Sequence, residues 1–157
     1  MIKLAFISIF FLFFVATAIS FFIPSEIRIS KAINIHGLAD SVFARVADTS
    51  RWKEWHPAYI PGDSAKKFPS ISIATRSRTD TSIIMEMRQG NKKPVMNGFQ
   101  VYHPIADSLT LQWYMDFKIK WYPWQKFGSM FYEGTYGLMM QQGLENLKRQ
   151  TESSFRL

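Results

Sequence analysis

Apolar and polar residues alternate along several stretches of this chain, and a turn residue closes most of them. Ile27, Ile29, Ile33 and Ile35 fall on one face and Arg28, Ser30, Asn34 and His36 on the other, which predicts a strand with one buried side. Ile71 and Ile73 begin a second, short strand. Ile83, Met85 and Met87 alternate with Ile84, Glu86 and Arg88 in a third, and Gly90-Asn91-Lys92-Lys93-Pro94 makes the turn that follows. Val95, Asn97, Phe99 and Val101 alternate with Met96, Gly98, Gln100 and Tyr102 in a fourth strand that His103-Pro104 closes. The fifth is the clearest, with Leu109, Leu111, Trp113, Met115, Phe117 and Ile119 inward and Thr110, Gln112, Tyr114, Asp116, Lys118 and Lys120 outward.

Helical spacing fills the rest. Gly37 ends the first strand, and Asp40 is placed to cap a short helix carrying Val42, Phe43, Val46 and Ala47. A second short turn carries Trp52 and Trp55 on one face and stops at Pro57. Residues 58–70, with Pro61-Gly62-Asp63-Ser64 and Lys66-Lys67, read as a solvated loop. From Pro123 or Trp124 to about Ser153 one long helix is expected, with Met130, Gly137, Met140, Leu144, Leu147 and Thr151 as its apolar stripe. Gln142, Glu145, Lys148, Arg149 and Glu152 take its wet side. Gly134, Gly137 and Gly143 each cost such a helix about 1 kcal/mol relative to alanine, so a close approach to the sheet, or a kink, is expected there.

The N-terminus follows neither pattern. Residues 4–23 carry no charge, have only Ser8, Thr17 and Ser20 as polar members, and hold seven of the 14 phenylalanines. As a helix this stretch is roughly 30 Å long, enough to cross a bilayer. Lys3 and Ala16-Thr17-Ala18 also fit a cleavable signal peptide, but the apolar run continues through Ile19, Phe21, Phe22 and Ile23, where a mature N-terminus would turn polar. The expected division is an anchor over 1–24, or an uncleaved signal, and one globular domain over 25–157. The expected location is a single-pass membrane protein, its domain outside the cytoplasm, on the default that a short basic N-terminus stays inside.

Composition narrows the chemistry. The chain has no cysteine, which excludes a disulfide scaffold, thiolate metal sites and a cysteine nucleophile. Its net charge of +7 is spread without a dense basic run, so an anionic bilayer surface is a more economical partner than nucleic acid. His36, His56 and His103 share no metal-ligand spacing, no cofactor motif occurs, and no metal or cofactor is expected. The histidines read as solvent-exposed or locally hydrogen-bonded; His56, beside Trp55 and Pro57, is the one to mutate first. Glu86 and Asp116 face outward and are placed to pair with Arg88, Lys118 or Lys120. Trp52 and Trp55 read as core braces ahead of ligand-stacking groups. The inward methionines Met85, Met87, Met115 and Met140 suit either a pocket for a flexible lipophile or the filling of irregular core gaps.

Together these segments resemble the START-like, helix-grip superfamily, and within it the membrane-anchored bacterial members of the polyketide cyclase/dehydrase and lipid transport type. The resemblance rests on Ile23-Pro24-Ser25-Glu26, the strand Ile27 to Ile35, and Asp40-Ser41-Val42-Phe43. It continues in Asp48 with Trp52-Lys53-Glu54-Trp55-His56-Pro57, Leu111-Gln112-Trp113, Tyr136-Gly137 and Gly143-Leu144-Glu145-Asn146-Leu147-Lys148. Residues 58–94 match least well. The resemblance implies an α+β fold, a curved antiparallel sheet around a long C-terminal helix, with a cavity between them for a lipophilic small molecule such as a lipid or quinone. It transfers no catalytic residue. The ligand residues expected on this basis are Met85, Met87, Phe99, Val101, Leu111, Trp113, Met115 and Phe117 from the sheet, with Met140 and Leu144 from the helix. An anchored structural or interaction protein with a filled core is the alternative, and a cyclase or aromatase the third reading.

Overall fold

A computed structural model of the chain describes residues 2–59, 71–91, 93–105 and 108–155. The expected loop around Pro61 to Lys67 and the side chain of His103 lie outside the described residues.

The N-terminal helix, α1 (Ile2–Ser20), stops short of the expected end at Pro24. Its window Lys3–Ser20 has a mean hydropathy of 2.1 and is 6% buried, so it is long and apolar enough to cross a membrane and contributes almost nothing to the domain core.

Five strands form one antiparallel sheet: β1 (Glu26–His36), β2 (Ile71–Arg78), β3 (Ser82–Gln89), β4 (Val95–Ile105) and β5 (Ser108–Lys118), in the order β1-β5-β4-β3-β2. β5 sits between β1 and β4. It pairs with β1 without a slip from Glu26↔Lys118 to His36↔Ser108, which the period-two pattern enforces because a one-residue shift would turn both apolar faces to water. The alternation in β5 holds as expected: Leu109, Leu111, Trp113, Met115 and Phe117 are buried and the residues between them are not. Gly90, at φ +53°, makes the β3–β4 turn in the left-handed region that glycine tolerates. β4 continues past the expected stop at His103-Pro104 to Ile105, with its pairing to β5 irregular between Tyr102 and Ile105.

The outer face of the sheet is polar but organised. Arg28 grips Asp116 with two hydrogen bonds of 2.6 and 2.8 Å and lies 4.4 Å from the centre of the Tyr114 ring. Tyr114 in turn lies over Gly98, its register partner, where a Cβ would collide with the ring. Asp116 therefore pairs across to β1, not with Lys118 or Lys120, while Glu86 receives both Arg76 and Arg88. Those hydrogen bonds, Arg88's first, hold the Glu86 carboxyl below the usual range.

Two short helices close one end of the inner face. α2 (Ala39–Ala47) buries Val42, Phe43 and Val46. Its cap is Leu38, with no side-chain bond; Asp40 lies instead inside the first turn, where its charge still suits the helix dipole. A 3₁₀ turn (Thr49–Arg51), capped by Asp48 accepting from the Ser50 amide at 3.0 Å, leads into α3 (Trp52–Trp55).

The expected single terminal helix is three segments: α4 (Pro123–Ser129), a π-helical turn (Glu133–Gly137) and α5 (Leu138–Phe155). The break changes the stripe. Gly137, Met140, Leu144, Leu147 and Thr151 are buried along α5 and its start, but Met130 lies before the wider π turn and is exposed. Register cannot carry across such an inserted residue. Two of the three glycines have close neighbours: Gly143 faces Trp113 and Pro57, and Gly137 faces Glu133 and Lys31.

Candidate functional site

The inner face of the sheet divides into a packed half and a hollow half. In the packed half, α3 sets Trp52 and Trp55 against Phe99 and Trp113, with ring centres 5.2–6.2 Å apart across these contacts. The Trp52 indole donates to the Val46 carbonyl at 2.8 Å, and the Trp113 indole donates to Asn97. α5 fastens this unit from the other side, where Asn146 and Gln150 donate to the carbonyls of Trp55 and Glu54 at 3.1 and 2.6 Å. Met85, Phe99, Val101, Leu111, Trp113, Met140 and Leu144 are all buried here in the core cluster. These seven of the ten expected ligand residues line no cavity that the structure describes beside the other three.

Met87, Met115 and Phe117 do line one. Between the ends of β2 to β5 and the start of α5 lies a cavity of about 90 Å³ whose wall also includes Ala58, Ile71, Val95, Tyr136 and Met139, with His56, Gln89 and Lys93 as further polar lining. It adjoins a wider, open hollow of about 440 Å³ that shares Lys93, Val95, Phe117 and Tyr136 and extends to Ile119, Lys120, Gln125 and Tyr132.

The π-helical turn shapes this end. Tyr132 and Tyr136 pack on Phe117 at ring-centre distances of 4.9 and 4.7 Å. Lys31, the one charged residue on the isoleucine face of β1, reaches Glu133 at 2.6 Å. Gly137 leaves the room for that pair, since its Cβ would stand 2.8 Å from Glu133 Oε1 and 3.1 Å from Lys31 Cε. The stripe expected of a continuous helix did not include Tyr136 and Met139: Tyr136 lies in the π turn, and Met139 lies beside the buried stripe, half-buried against the core.

His56 is the most deeply buried polar residue of the cavity wall. It is 1% exposed, stacked on Trp52 (5.0 Å, 7°), and in contact with Trp55, Tyr59 and Trp113. Burial pushes its imidazole down to about 3, so the ring is neutral at physiological pH. Nδ1 accepts from the Ala58 amide at 3.2 Å, which places the ring proton on Nε2. Nε2 has no partner among the described residues. Locally hydrogen-bonded was one arm of the sequence expectation and holds; solvent-exposed, the other arm, does not. Tyr59, whose hydroxyl burial pushes up to about 12, is likewise buried without a partner among the described residues. A buried donor left unpaired costs about 1–3 kcal/mol, a cost that an acceptor reaching Nε2 would offset. Among the described residues no group of three or more His, Asp or Glu could hold a metal ion.

No protein-family model matches the sequence, and no curated protein sequence does. Solved structures do match in fold. The di-domain aromatase/cyclase StfQ of the steffimycin biosynthetic pathway superposes with a TM-score of 0.63 at 10% identity, over 84% of this chain and 53% of that one, so this chain spans about half its length. A START superfamily protein from Mycobacterium smegmatis gives 0.55 at 18% identity over 80% and 97% of the two chains. Norcoclaurine synthase from Thalictrum flavum, solved with a transition-state analogue, gives 0.58 at 11% over 82% and 96%. With the five-stranded antiparallel sheet and the long terminal helix, these likenesses identify the fold of this chain as START-like.

Proposed function

We propose that the chain is a membrane-tethered binding module for a lipophilic small molecule, a lipid, quinone or similar compound, that carries a hydrogen-bond acceptor. α1 spans the bilayer, and the domain holds the acceptor end of the ligand in the cavity at His56 while the remainder lies in the open hollow toward Tyr132. The observation that carries this reading is an apolar cavity with the buried His56 in its wall, its Nε2 without a partner among the described residues. START-like neighbours, one of them solved with a transition-state analogue in place, support a ligand-binding role for this fold. Burying about 300 Å² of ligand apolar surface at about 25 cal/mol/Å² supplies several kcal/mol before the entropic costs of binding.

A cyclase-type reaction, the activity named for the StfQ neighbour, needs a proton acceptor at the substrate. His56 already carries its proton on the free nitrogen and resists a second one, so it suits binding better than base catalysis. The filled-core reading draws on the seven expected ligand residues that are packed and on a cavity of only about 90 Å³.

The test is extraction and mass analysis of small molecules that co-purify with the full chain from its native membrane, compared with Met115→Trp and His56→Phe. The expected result is a lipophile of defined mass on the wild type, absent or at least tenfold depleted in folded Met115→Trp. Equal loading of wild type and both variants, or a wild type with none, contradicts the proposal.

A further inference from the structure

α4 is built inside out. Its buried stripe is Pro123, Lys126 and Ser129, and Lys126 is only 4% exposed. Its opposite side carries Trp124 and Gly128, and Phe131 follows in the turn after the helix, with the two aromatic residues 63% and 75% exposed. A helix at a water-facing surface shows the reverse arrangement. The buried lysine holds a junction together: its ammonium donates to the Ile23 carbonyl at 2.6 Å and to Ser25 Oγ at 2.8 Å, fixing α4 to the chain that leaves α1. α1 and α4 touch, and the Ile119 amide bonds the Ser25 carbonyl at 2.7 Å, continuing the sheet into the same junction.

The aromatic cluster begins before the helix. Trp121, 61% exposed, packs on Tyr122, and Tyr122 stacks on Trp124, each at 4.9 Å. Lys120 lies 5.8 Å above the Tyr122 ring. Tryptophan and tyrosine with a flanking lysine are the residues that settle at the boundary between acyl chains and headgroups, where the ring is apolar and its polar edge remains wet. Phe21 and Phe22, just past the end of α1, are exposed as well, and the Lys126 bond to Ile23 holds that end of the chain beside α4.

We propose that the exposed aromatic residues in and around α4, Trp121, Trp124 and Phe131, are seated in the bilayer interface beside the end of α1, and so turn the open hollow of the domain toward the lipid leaflet. Gln125 of α4 lines that hollow together with Ile119, Lys120 and Tyr132, so seating α4 brings the hollow's edge to the lipid. A lipophile then reaches the cavity from the membrane without crossing water. The inference rests on the anchored reading of α1, and the test separates the two.

The five tryptophans make the test direct. Trp52, Trp55 and Trp113 are fully buried, and α1 contains none, so bromine on lipid acyl chains can reach only Trp121 and Trp124. The full chain is reconstituted into vesicles of phosphatidylcholine and phosphatidylglycerol, with and without dibrominated acyl chains, and followed by flotation and tryptophan emission beside the double variant Trp121→Phe, Trp124→Phe. The expected result is flotation of both proteins, bromine-dependent loss of emission in the wild type, and no such loss in the variant. Flotation with no bromine-dependent loss, or with equal loss in both, overturns the seating and leaves the anchor standing. A chain that does not float overturns both. Absence of quenching together with a cross-linked dimer that the double variant abolishes overturns the seating and assigns the face to a second copy of the chain.

Discussion

Gly143 of α5 passes so close to Trp113 of β5 that a Cβ on the glycine would stand 2.9 Å from the ring atom Cζ3. Pro57 Cδ, at 3.1 Å, closes the other side. The indole cannot retreat, because it stacks on Phe99 and bonds Asn97 behind it. Gly143→Ala is therefore expected to destabilise the domain by about 1–3 kcal/mol through overpacking, although alanine is the better helix former. Gly134 has open space around it, and Gly134→Ala is expected to stabilise by roughly 0.5–1 kcal/mol. Urea unfolding of the two variants checks the opposite signs; equal effects would mean that helix propensity, not the Trp113 contact, governs these positions.

Lys31 and Glu133 tie β1 to the π turn at 2.6 Å, but the carboxylate side is 60% exposed. The pair is expected to contribute no more than about 1 kcal/mol. Lys31→Met should thus change stability little, while the resonances of Tyr132 and Tyr136 shift as the turn loosens. A loss of several kcal/mol would show the pair to be a buried structural contact instead.

Core and cavity methionines are expected to answer truncation differently. Met85 is fully buried among packed side chains, so Met85→Ala should cost about 2–5 kcal/mol by leaving a void and should keep ligand loading once folded. Met115 already borders a cavity, so Met115→Ala should sit at or below the low end of that range and change loading. Calorimetry with bound-ligand mass analysis reads both; matching losses of loading would place the ligand deeper than the cavity described.

The histidine gives a pH dependence whose sign is fixed. Its folded value, about 3, lies below the usual 6.5 of the unfolded chain, so between these values the unfolded state binds the extra proton. The stability contributed is complete above about pH 6.5 and is lost as the pH falls toward about 3, with a slope of up to about 1.4 kcal/mol per pH unit. The difference in urea stability between wild type and His56→Phe, followed from neutral to mildly acidic pH, should shrink with that slope's sign. A pH-independent difference would show that His56 titrates normally and is therefore solvated.

The fold was legible because its strongest signals were local and periodic. β5 alternates from Leu109 to Phe117, and a sheet with one buried face leaves such a strand one way to lie. α5 was legible for the same reason from Met140 to Thr151. What precedes it was not: the π turn at Glu133–Gly137 is tied to Lys31, a residue of the distant first strand, and no helical period announces an inserted residue. The candidate site shared this fate. The alternation marks inward residues, and Met85, Phe99 and Trp113 are inward, but whether an inward side chain meets another side chain or a void is decided by α3 and its two tryptophans filling one half of the sheet. His56 stood out by its place between Trp55 and Pro57; its burial came from Trp52, Trp55, Tyr59 and Trp113 packing around it, and the position of its proton from the folding of Ala58 back onto Nδ1.

The location of the cavity can be read in solution from methionine methyl groups. With the full chain in lipid nanodiscs, labelled at methionine methyl carbon, titration with benzene as a small apolar probe is expected to shift Met87, Met115 and Met139, which line the cavity, and to leave Met85 and Met140 in the packed half unmoved. Saturable shifts confined to the first three place an accessible apolar site between the sheet and the start of α5. Shifts at none of them, or equal shifts at all five, would contradict a ligand cavity there.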